Sequence, residues 1–138
     1  MFKFFKMLIK EDNIDTNNYK TRVKDLNLEH DQILGINIDN IIIKIPYTEI
    51  VRISIMIYEE GLLPQPVWTV QTIDDIIDIP NDLKNTDKLF FEVLNKKLEG
   101  YNSIQIQEEI LKAMNCTHNC LFYIWQRDDA DELFKSIK

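Results

Sequence analysis

Carboxylates are the residues whose clustering most invites a chemical reading. Asp74, Asp75 and Asp78 lie close together, Glu59 and Glu60 precede a proline-rich stretch, and Asp128, Asp129, Asp131 and Glu132 crowd the tail. Paired acids can move protons or hold a divalent cation. Neither use is favoured here, because no glycine-rich phosphate loop or other pocket-forming motif accompanies them. They make better sense as a contact surface, with Trp68 as an aromatic anchor beside the first cluster and the tail acids as a competing patch. Metal-ligand types gather only in Cys116-Thr117-His118-Asn119-Cys120, and the other histidine, His30, is distant. Three donors within five residues fall short of the four, in two separated pairs, that a structural zinc site takes. A nucleophilic cysteine needs a base and an orienting group, and His118 is too near along the chain to serve. The expectation is a helix-to-strand turn with half-buried thiols, no metal and no cofactor.

The elements that must position these residues are bounded by the totals. A chain of 138 residues suits one domain, 1–138, read as an N-terminal helix and loop over 1–18 and an α+β core over 19–138. Hydrophobic residues make up 45% with only three Gly and four Pro, which is enough apolar surface for a packed globule. Twenty-three acidic against sixteen basic residues give a net charge of -7. That sign opposes nucleic-acid binding, which needs Lys and Arg against phosphates, and favours a basic partner. Two cysteines in a chain of this size read as reduced thiols. The opening MFKFFKMLIK is interrupted by Lys3, Lys6 and Lys10, too often for a leader core or a membrane span. Cytoplasmic residence without stable membrane insertion is the expectation. Phe2, Phe5 and Ile9 recur at helical spacing, and the bland reading, a short helix docked on the sheet, is preferred to a membrane-surface helix.

From Ile36 to Tyr58 the isoleucines alternate: Ile36 and Ile38, then Ile41, Ile43 and Ile45, then Ile53, Ile55 and Ile57. Period-two spacing of β-branched residues predicts strands with one buried face. Asp39-Asn40 suits the hairpin turn, and Pro46-Tyr47-Thr48-Glu49 breaks the run before Val51 starts another strand. Tyr19 to Glu29 is ambiguous, with Val23, Leu26 and Leu28 fitting a short edge strand. Leu62 to Pro66 reads as a rigid connection, Val67 to Gln71 as a strand, and Ile73 to Ile79 as a short strand or edge segment. From Thr86 the period lengthens to about four, with Leu89, Phe90, Val93, Leu94 and Leu98 in one stripe, Thr86 or Asp87 as cap and Gly100 as terminator. A second helix runs from Ser103, its N-cap, to Asn115. Cys120 to Gln126 returns to strand, with Leu121, Tyr123 and Trp125 on one side and Phe122 and Ile124 on the other, which predicts a central or covered strand. A short helix begins at Asp128, with Leu133, Phe134 and Ile137 inward. The predicted architecture is α+β: an antiparallel sheet of about five or six strands against two consecutive helices, with a C-terminal return strand.

From Pro46 to Trp125 the chain resembles small immunity proteins of bacterial polymorphic-toxin systems. The resemblance rests on PYTEIVRISIMIYEEG, on VW ahead of a strand, on IP ahead of the first helix, and above all on AMNCTHNCLFYIW. The sequence departs from the pattern at Tyr47, where Trp is expected, and in its two cysteines in the final turn. The resemblance implies a non-enzymatic protein that occludes a cognate toxin domain, and the acidic balance suits a toxin with a basic surface. A ligand- or peptide-binding adaptor using a sheet edge is the alternative, and a small metal-dependent hydrolase is the third.

Overall fold

The computed structural model describes residues 22–60, 63–115 and 120–135. The expected helix and loop over 1–18, the positions of Cys116 and His118, and Ile137 lie outside them. The fold is α+β, and its strands form two antiparallel sheets where one was expected. Strands β1 (Val23–Leu28), β2 (Gln32–Asn37) and β3 (Ile42–Pro46) pair in that order. Strands β4 (Arg52–Glu60), β5 (Leu63–Gln71), β6 (Ile76–Pro80) and β7 (Cys120–Gln126) make a second sheet in the order β6-β5-β4-β7. The division falls at Pro46: proline ends the ladder, and a 3-10 turn over Tyr47–Glu49 swings the chain away from β3 before β4 begins. A parallel bridge from Arg22 to Asp78 joins the sheets, and one apolar core runs through both.

Each strand carries its local cause. In the β2–β3 loop the buried Asn37 side chain accepts from the amides of Asp39 (2.9 Å) and Ile41 (3.0 Å), and Asn40 takes the left-handed conformation at φ 63°. Pro64 and Pro66 lie inside β5, opposite Glu59 and Ile57, and not in a connection. They are tolerated because β6 joins β5 only from Val67 onward, so at the prolines the strand has β4 as its one neighbour among the described residues. Strand β7 was expected to be central or covered; it is half-buried from Cys120 to Trp125 and is an edge strand among the described residues. A register shift opposite Ile53 and Ser54 also splits its predicted face: Trp125 pairs with Ile53 on the core side, while Tyr123 pairs with Ser54 on the other.

Two consecutive helices cover the core face. The run 86–97 (α1) has an α-helical start at Thr86–Lys88, a wider π-helical middle at Leu89–Val93, and an α-helical end at Leu94–Lys97. Leu89, Phe90 and Leu94 are fully buried, Ile55 faces the same core, and the Tyr101 hydroxyl donates to the Phe90 carbonyl at 2.7 Å. Burial pushes the Tyr101 phenol far up. Gly100, at φ 79°, follows the helix end as expected. The caps differ from expectation. Thr86 donates its hydroxyl to the Pro80 carbonyl (3.0 Å), and Asn85 ties this end to the Leu26 carbonyl (2.9 Å). Helix α2 (Ser103–Met114) is capped by Asn102, whose side chain accepts from the amides of Ile104 (2.9 Å) and Gln105 (3.4 Å), and not by Ser103. A last helix, α3 (Ala130–Lys135), closes the described chain.

Candidate partner-binding cleft

The first acidic cluster does not form the expected surface. Trp68 is 2% exposed, stacked on Phe90 with ring centroids 3.9 Å apart and met edge-on by Phe91, and its indole N–H donates to Asn81 at 3.0 Å. It is a core residue and cannot anchor a partner. Asp78 is 4% exposed and accepts from the Thr69 hydroxyl at 3.1 Å. Burial raises its carboxyl above the ordinary range, against the Thr69 hydrogen bond and the Arg22 charge, which lower it. Only Asp74 and Asp75 are exposed. They occupy the β5–β6 turn, where the Thr72 hydroxyl accepts from both of their amides, at 3.2 and 2.9 Å. The alternation of β6 explains the split: in IDDIIDI the last Asp falls within the paired strand, opposite Thr69.

The tail acids fare differently. Asp128 and Asp129 line a cleft of about 610 Å³ together with Tyr47, Ile50, Leu98, Glu99 and Trp125. Three separate breaks in secondary structure build it: the 3-10 turn after β3, the end of α1 at Gly100, and the end of β7. Its floor is apolar, from buried Tyr47, Ile50 and Leu98 and half-buried Trp125. Trp125 is fixed by donation of its indole N–H to the Glu99 carbonyl at 3.0 Å, and Tyr47 donates its hydroxyl to the Glu29 carbonyl at 3.1 Å. The Tyr47 phenol is pushed up by burial first, then by Asp31 and Glu29.

The rim mixes both signs. Lys97 stands 5.8 Å from the Tyr47 ring centre, and Arg127 pairs with Asp129 at 3.1 Å. With Asp129 neutralised by Arg127, Glu99 and Asp128 remain as rim carboxylates with no ion pair among the described residues. An apolar floor beneath unneutralised carboxylates suits a side chain with an aliphatic stem and a cationic head. Glu132 is exposed on α3 and does not line the cleft. Asp131 has a structural partner: it pairs with Arg52 at 3.5 Å, and the buried Arg52 guanidinium lies between the Tyr123 ring (4.8 Å) and the Phe134 ring (4.6 Å) while donating to Gln126 (3.1 Å). That arrangement holds α3 against the sheet.

The structure thus brings Asp128 and Asp129 to an aromatic residue and separates Asp74 and Asp75 from Trp68. Trp125, Tyr47 and Glu99 are site residues that acidic clustering did not pick out. The sequence signals available were the PYTE break and the Gly100 terminator, which mark where chain ends converge but not that they converge on each other.

Cys120 is disulfide-bonded, against the expectation of reduced thiols, and the chain's other cysteine is Cys116. The cysteines therefore no longer support a reducing compartment. Among the described residues no three His, Cys, Asp or Glu side chains gather as metal ligands, and no helix is long and apolar enough to cross a membrane. No family model matches the chain, and comparison with curated proteins and with solved structures likewise returns no match.

Proposed function

We propose that this chain is an immunity protein, which binds a cognate bacterial toxin domain stoichiometrically and occludes its active surface without catalysis. The observation that carries the proposal is the cleft in which Asp128, Asp129 and Glu99 rim a floor containing Trp125 and Tyr47. The net charge of -7 steers a basic toxin surface toward the molecule, and one cationic side chain seated over Trp125 slows its release. In this reading the protein protects the cell that makes the toxin, with neither nucleic acid nor membrane as partner.

The test is titration of the toxin domain encoded beside this chain. Toxin activity should fall linearly and vanish at one equivalent, and calorimetry should return a one-to-one complex. Inactivation of many toxin equivalents by one equivalent of this protein would mean an enzyme, and absence of any complex would remove the immunity reading.

A further inference from the structure

Strand β3 ends its sheet, and no strand lies on its outer side among the described residues. Its backbone polarity follows from the hairpin. The Asn37 amide donates to the Ile41 carbonyl at 3.0 Å and the Tyr47 amide to the Asp31 carbonyl at 3.2 Å. Antiparallel pairs alternate between bonded and unbonded, so Gly35 with Ile43 and Ile33 with Ile45 exchange the intervening bonds. Ile42 and Lys44 therefore turn both N–H and C=O away from β2, to the open edge. Pro46, next in this series, has no N–H and ends it.

The side chains here are also unusual. Ile42 is 60% exposed, Ile41 55% and Ile38 53%, and half-buried Ile36 lies directly across from Ile42. Ile42 on the open edge, Ile41 and Ile38 in the adjoining turn and Ile36 on neighbouring β2 form an apolar surface at one hairpin end that a solvated edge does not need.

We infer that this edge pairs with the same edge of a second copy of the chain, antiparallel and about a two-fold axis at Ile43. In that register Ile42 exchanges both backbone bonds with Lys44 of the partner and Lys44 with the partner's Ile42, so the four outward groups of these two residues are all used. A two-fold centred on Lys44 would set the two ammonium groups opposite each other. One centred on Ile42 would require Asn40, whose amide already donates to the Asn37 carbonyl and whose φ is 63°. The chosen register lays the alkyl stem of each Lys44 along the other copy's Ile42, with opposing charges absent. Lysine and proline commonly protect an edge from further pairing. Here Pro46 limits the contact to two residues per chain, which makes the dimer weak and concentration-dependent.

The experiment is sedimentation equilibrium of the full chain from micromolar to millimolar concentration. Average mass should rise from one chain toward two, and hydrogen exchange at the Ile42 and Lys44 amides should slow with concentration. Ile42→Lys puts ammonium groups opposite one another and should weaken association at least tenfold. Ile42→Glu puts a carboxylate opposite Lys44 and should associate more tightly than Ile42→Lys. Both replace an exposed side chain, and matching urea midpoints will show that the fold is kept. A parent that stays monomeric throughout, its edge left to some foreign strand, overturns the inference. So does equal loss of association in both variants, which would reduce the contact to apolar adhesion without this register.

Discussion

Asp78 shows how far a residue's role depends on which side of a strand it occupies. Its charge sits beside Asp74 and Asp75 in sequence, yet its carboxyl is buried opposite Thr69 with a raised pKa, caused first by burial. The folded state therefore holds the proton more tightly than the unfolded chain, whose carboxylate titrates near about 4. Between that value and the raised folded one, unfolding releases the proton, so the contribution of Asp78 to stability falls as pH rises. Asp78→Asn should lack this loss, and its urea midpoint relative to the parent should climb from pH 4 toward neutrality. Parallel midpoint profiles for the two proteins would show that the buried carboxyl is not the source. Trp68 teaches the same lesson: its size and its ring partners place it in the core, and its one polar atom is satisfied by Asn81.

At the scale of elements, caps and stripes decide where helices sit. Asn102 offers one oxygen to two orphan amides of α2, so Asn102→Ala should cost about 1 kcal/mol, whereas Ser103→Ala should cost nearly nothing. Comparison of the two denaturation midpoints distinguishes these cap assignments. The stripe of α1 and the inward face of β4 meet in one core through Leu94 and Ile55, which are 0% and 2% exposed. Truncation of either to Ala should cost about 2–5 kcal/mol in urea unfolding, from lost transfer energy and a residual cavity.

At the scale of the whole molecule, the proposed immunity role has the acidic balance act through the carboxylates that reach the cleft. Glu99→Gln and Asp128→Asn together should slow association with the proposed toxin partner and flatten its salt dependence. Asp131 is left intact because it pairs with Arg52. The pair Asp74→Asn and Asp75→Asn, on a turn remote in sequence from the cleft residues, should change the rate less. Exposed substitutions of this kind rarely cost more than about 0.5 kcal/mol of stability, so the rates can be compared on folded proteins. Equal salt slopes for the parent and both variants in stopped-flow binding would remove the acidic cleft from the mechanism.

What the sequence determined by itself was local. Alternating isoleucines gave the strands around Asn40, the apolar stripe with a period of about four gave α1, and Gly100 gave its end, because period and backbone preference act over a few residues. The tertiary structure alone decided what depends on distant pairing. Two sheets replaced one because the chain turns at Pro46 and Tyr47 and finds a new partner in β5, and the prolines of β5 were admitted because β6 starts late. The shift in β7 that puts Trp125 on the core side, away from Tyr123, arises from its register against β4, which no window of β7 contains. The cleft has the same origin. Tyr47, Glu99 and Asp128 are about fifty and thirty residues apart in sequence, and only the packing of three chain breaks against one core makes them neighbours.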